Sequence, residues 1–155
     1  MAALNDELAI PALLGSISRG GIVTEALARF GDKAVSPLLN LLNTPNEGPL
    51  PRSSALFTIQ ELLEMQSPIS DASHAHIKRA LAASLKDPEY LVRYSAIRAI
   101  EYLKDREDFV PALREVAERD PGENVGTEHH ALRPLAEQML QKIANHEPTT
   151  PAPAR

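Results

Sequence analysis

The residues best suited to chemistry in this chain are suited to recognition. All three tyrosines fall in one short stretch, Tyr90, Tyr94 and Tyr102. Tyr90, Tyr94 and Arg98 are spaced by four, so on a helix they share one face, with Glu101 beside them. Tyr and Arg are enriched among interface anchors, where a large rigid area is combined with hydrogen-bonding reach. The histidines invite a metal reading through Ser73-His-Ala-His76 and Glu128-His-His130. Spacing opposes it, because helical ligands of one metal sit three or four residues apart, whereas these pairs diverge by about 200° and 100°. Gly15-Ser-Ile-Ser-Arg-Gly-Gly21 has the glycine content of a phosphate loop, but Ile22 stands where the lysine is needed and no strand precedes it. A helix-terminating turn is the expectation there. No nucleophile, base and orienting group form a recognisable set. A non-enzymatic chain with no catalytic residue, metal or cofactor is therefore expected.

The balance of charge narrows the partners. Sixteen basic against twenty-one acidic residues give a net charge of −5, which disfavours the long basic stripe that nucleic-acid phosphates attract. There is no cysteine, hence no disulfide framework and no thiolate zinc site. The opening MAALNDELAI carries acids where a signal peptide needs bases, and no apolar run reaches the roughly 18 residues needed to cross a bilayer. A cytoplasmic protein that acts on another protein, not on nucleic acid or membrane, is expected, as a monomer or weak homo-oligomer.

These side chains need elements to hold them. Aromatic residues are only 4% while hydrophobic residues reach 43%, dominated by Ala, Leu and Ile, which suit closely packed helices. Apolar positions recur at helical spacing throughout, cut by Gly, Pro and Asp. The spacing predicts helices near 4–17, 21–30, 32–43, 51–66, 72–86, 89–104, 106–119 and 128–146, and a disordered Pro/Thr-rich tail over 147–155.

Alternate helices superimpose. Arg52 is followed by Ala55, Ile59 and Leu62; Arg93 by Ala96, Ile100 and Leu103; Arg133 by Ala136, Leu140 and Ile143. The three sets share their offsets and lie about 40 residues apart, the period of two-helix repeats. Val23, Ala26 and Phe30 look like an earlier copy without the arginine. The preceding helices also match, through Ile10, Leu13, Leu14 and Ile17; Val35, Leu38, Leu39 and Leu42; Ile77, Ala80, Leu81 and Leu85; Val110, Leu113 and Val116. Three of them contain proline, at Pro11, Pro37 and Pro111, which predicts a recurrent bend. Repeats near 4–30, 32–66, 72–104 and 106–146 would form one domain over 1–146. Glu137, Gln138, Gln141 and Lys142 would give the last helix the polar outer face of a terminal repeat. Two longer connections, 43–50 and 120–127, should emerge on the same edge.

The stretch Leu85-Lys-Asp-Pro-Glu-Tyr-Leu-Val-Arg-Tyr-Ser-Ala-Ile-Arg-Ala-Ile100 resembles the HEAT-repeat family, including the bacterial HEAT-like repeats of the phycobilisome-lyase type. It has an Asp-Pro turn, then Val-Arg and two spaced alanines. Phe30-Gly-Asp-Lys-Ala-Val35 and Phe109-Val-Pro-Ala-Leu113 are similar to the family's inter-repeat turn and first helix. The resemblance implies an all-α fold, a right-handed α-α superhelix or solenoid of about four helical hairpins and about eight helices. It implies that the repeated arginine pairs with the Asp of the preceding turn, as Asp87 and Arg93 are placed to do, and that the second helices line a concave face. On that face Tyr90, Tyr94, Arg98 and Glu101, flanked by Phe57, Arg52 and His130, would bind a partner segment. The role implied is that of a protein-binding scaffold. The alternatives within the resemblance are a bilin-lyase-like or other HEAT-fold enzyme or accessory subunit, and a nucleic-acid binder like the HEAT-like DNA glycosylases, which need a basic concave face.

Overall fold

Glycine, proline and serine punctuation cuts the chain into short rods. The computed structural model describes residues 2–44, 46–120 and 132–145. Among these residues there are eight α-helices and no strand: α1 (Ala2–Leu14), α2 (Ile22–Ala28), α3 (Asp32–Leu42), α4 (Pro49–Glu64), α5 (Asp71–Ser84), α6 (Tyr90–Ile100), α7 (Val110–Arg119) and α8 (Leu132–Ala144). No helix is long and apolar enough to cross a membrane among the described residues. The expected tail, 147–155, and most of the connection 120–127 lie outside them.

Helix starts follow local chemistry. Ser70 caps α5 by accepting a hydrogen bond from the Ser73 amide at 3.2 Å. Pro49 opens α4, where a missing N–H costs nothing. Gly20 and Gly21, with φ of 61° and 55°, turn the chain between α1 and α2, in backbone conformations that L side chains resist. The glycine-rich stretch is thus a helix-terminating turn, and α1 stops at Leu14, leaving Ile17 in a short 3-10 turn. Pro37 lies inside α3 and Pro11 inside α1, but Pro111 does not bend a helix. A 3-10 turn over Arg106–Phe109 precedes it, so Pro111 falls in the first turn of α7, where proline is tolerated.

Each odd helix packs against the even helix that follows it. The odd helices α1, α3 and α5 also touch in succession, as do the even helices α2, α4, α6 and α8, with α4 against α6 the most extensive contact. The repeated stripe explains that contact. Ala55, Ile59 and Leu62 of α4 and Ala96 and Ile100 of α6 are fully buried, and the small alanines let the backbones approach. Each buried Ile or Leu contributes about 1.5–3 kcal/mol. In α2 the buried residues are Thr24, Leu27 and Ala28, while Val23 and Ala26, with Phe30 just beyond the helix, are only partly covered. The stripe of α2 therefore runs one residue later than its sequence match suggested. A helix of seven residues has too few turns for periodicity to fix its phase.

The repeated arginines tie successive even helices together, in a register that differs from the one expected. Arg93 Nε donates to Asp120 Oδ2 at 2.8 Å, a carboxylate that lies beyond α7. Its NH1 donates to the backbone carbonyls of Asp87 and Pro88 at 2.9 and 2.8 Å. The Asp87 carboxylate instead receives NH1 of Arg52, one repeat earlier. Arg133 Nε continues the series by donating to the Asp120 carbonyl at 3.0 Å. Arg52 and Arg93 thus each reach an acid of the following repeat, Arg133 reaches the main chain at Asp120 ahead of its own helix, and Asp87 serves Arg93 through its main chain alone. The Asp87 carboxylate is already engaged, by Arg52 and by the Glu89 amide at 2.9 Å, which leaves Arg93 the carbonyls of the same turn.

Candidate partner-binding face

Four of the expected site residues lie on α6 or at its end, and the structure separates their roles. Tyr90 is only 8% exposed, and its ring stacks on Tyr94 with centroids 6.2 Å apart and planes 20° off parallel. That geometry is an offset aromatic pair, and it makes Tyr90 a packing residue and not an exposed anchor. Tyr94 is half-buried and packs against the core. Arg98 is half-exposed and lies 3.7 Å from Glu101 Oε2. Glu101 is largely buried and accepts from Lys142 Nζ of α8 at 2.5 Å, so its carboxylate serves to hold α8 against α6.

The flanking residues divide as well. Phe57 is exposed on α4, at the repeat position that Arg98 occupies on α6. Arg52 is committed to Asp87, and its side chain is only 16% exposed, which removes it from any open surface. His130 lies outside the described residues. What remains open on adjacent helices is therefore Phe57 on α4 with Tyr94 and Arg98 on α6.

The sequence reading missed three exposed aliphatic residues. Ile22, Leu50 and Leu91 are all exposed, and each sits in the first turn of an even helix, α2, α4 or α6. Leu50 and Leu91 both lie two residues before the repeated arginine, which is the signal that could have revealed them. Packed helices lie 8–10 Å apart, so a row of side chains one per helix presents apolar contact at that interval. Isolated exposed leucines are ordinary. Recurrence at one place in successive helices is not.

A second concavity lies at the other end of α4 and α6. About 540 Å3 is enclosed by residues including Glu64, Gln66, His74, Tyr102, Lys104 and Asp105. Burial raises the Tyr102 phenol above its ordinary pKa, and the charges of Glu64 and Glu101 add to the effect. His74 Nε2 lies 3.0 Å from Asp105 Oδ1, while His76, its neighbour in sequence, is exposed. Burial alone would raise the Asp105 carboxyl, but bonds from Lys78 and His74 outweigh it and hold it below the usual carboxylate range. His74 and Lys78 are thus both bonded to Asp105, and no set of three His, Asp or Glu side chains that could hold a metal converges among the described residues.

Comparison of the chain with protein-family models, with curated proteins and with solved structures yields no match.

Proposed function

We propose that this chain is a HEAT-like repeat module, a right-handed superhelical stack of four hairpins, that holds a segment of another protein along the even helices. The reading is supported by the two rows of helix contacts, odd against odd and even against even, and by Arg52 of α4 and Arg93 of α6 each reaching an acid of the next repeat. The observation that carries the functional part is the open set on α4 and α6: Leu50, Phe57 and Leu91 exposed, with Tyr94 and Arg98 half-exposed between them. Apolar and aromatic surface beside one arginine matches the composition of binding hot spots. Tyr94 and Arg98 form the centre of the face, and Phe57 and the two leucines form its apolar border.

The test is a double substitution, Phe57→Glu with Leu91→Glu, at side chains that point to solvent. Circular dichroism and melting should stay within error of the parent, while partners captured from native extract by the parent chain are lost. Hydrogen exchange on the captured complex should show protection in α4 and α6. Capture that survives both changes, or protection confined to the odd helices, would refute this face.

A further inference from the structure

The groove between α3 and α5 has a lining unlike the other concavities. Ser36, Asn40 and Asn43 from α3 and its end, and His76 and Arg79 from α5, line a space of about 440 Å3 together with Leu39, Ala80 and Ala83. The concavities at the Asp87 and Asp120 turns, beside Ile22, and beneath Tyr102 all include acidic side chains. This lining has none, in a chain whose net charge is −5.

The polar side chains here are also uncommitted. Arg29, Arg52, Arg93 and Arg98 each pair with a carboxylate. By contrast, the side chains of Arg79, His76, Asn40, Asn43 and Ser36 are exposed and engage no other side chain among the described residues. Ser36 and Asn40 are four apart on α3, as Arg79 and Ala83 are on α5, so each helix turns one face into the groove. Small Ala80 and Ala83 leave room for a ligand to sit between the two helices.

We infer that this groove binds a phosphate monoester. The argument is one of donor count and charge. A phosphate dianion presents three terminal oxygens and takes charge-assisted bonds best from a guanidinium fork. Arg79 supplies the fork, His76 a ring N–H, Asn40 and Asn43 amide N–H groups, and Ser36 a hydroxyl. Arg79 lies more than a turn before the end of α5 at Ser84, clear of the negative end of that helix dipole, whereas Asn40 and Asn43 stand at the negative end of α3, which the charged fork must outweigh. The site is on the odd helices and does not depend on the even-helix face proposed above.

The experiment is a titration of the isotopically labelled full chain, followed by amide chemical shifts. O-phosphoserine should give saturable shifts in residues 36–43 and 76–83, and serine should give none. Arg79→Gln should weaken binding about tenfold or more, the loss expected for one charge-assisted fork, with the rest of the spectrum superposable on the parent. Arg19→Gln, at an exposed arginine elsewhere, should leave the affinity unchanged. A phosphoserine peptide that binds tighter than the free amino acid places the phosphate on a polypeptide, and equal affinity places it on a small ester. Absence of saturable shifts, glutamate binding as tightly as phosphoserine, or unaltered affinity of Arg79→Gln would overturn the assignment.

Discussion

Where the even helices begin, Arg93 and Asp120 meet with 6% and 2% of their side chains exposed. Where the odd helices begin, Asp105 and Asp108 ahead of α7, with side chains 41% and 64% exposed, receive Lys78 from the middle of α5, and Asp32 at the start of α3 accepts from the Ser70 amide at 3.0 Å on the open surface. Both ends join successive repeats through an aspartate, but the physics differs. A buried ion pair is poorly screened, and losing one partner strands a charge in low dielectric. An exposed pair is weakened by water and salt and pays side-chain entropy. The first end sets how repeats register, and the second adds little beyond solubility and turn geometry.

The largest expected effect comes from breaking the buried end. Arg93→Ala should cost about 3–5 kcal/mol in urea unfolding, the usual loss when one member of a buried pair is removed. Arg93→Lys should recover only part, because Nε and NH2 serve Asp120 and NH1 serves two carbonyls, a fork that an ammonium does not reproduce. A cost under about 1 kcal/mol would erase the distinction between the two ends. Arg52→Ala should rank next, at about 1–3 kcal/mol for stranding a partly buried acceptor.

The next test sharpens the contrast from the odd-helix side. The turn after α2 uses Gly31 at a φ of 57°, and the turn after α4 uses Gln66 at a φ of 51°. A side chain in this region carries strain of about 1–2 kcal/mol, so Gln66→Gly should raise stability by up to about 1 kcal/mol after the entropy cost of glycine. A fall in melting temperature would show that the Gln66 side chain contributes more than its backbone strain costs.

The smallest effect is that of pH on the exposed end. Asp32 is lowered, first by the Ser73 hydroxyl and then by the Ser70 amide, and Asp105 is lowered although burial opposes it. A lowered carboxyl contributes stability above its unfolded pKa near 4 and loses it as pH falls through its folded value. Lys78 is raised, chiefly by Asp105 and then Asp108, so its contribution is complete below about 10.4 and is lost only as pH climbs beyond. Melting should fall as pH drops through the carboxylate range below about 5, and Asp105→Asn should flatten part of that acid limb. An acid limb identical in that variant would remove Asp105 from this account.

The elements were legible because helical periodicity is a local property. The stripe from Arg93 through Ala96, Ile100 and Leu103 fixes the buried side of α6 without any tertiary information, and all four residues are buried. What was not legible depends on contacts distant in sequence. Asp87 is six residues from Arg93, so sequence spacing favours it, yet the carboxylate that Arg93 engages is Asp120. Tyr90 and Tyr94 share a face by spacing, and only the folded packing shows that one is buried while the other is half-buried. Lys142 carried no signal linking it to Glu101, since their pairing requires α8 to lie beside α6.

That last bond has a bearing on engineering. α8 is pinned near its start by Arg133 on the Asp120 carbonyl and toward its finish by Lys142 on Glu101, two bonds on opposite ends of one rod that together fix both its place and its tilt. A peptide grafted onto the outer side of α8 should therefore spare Arg133 and Lys142.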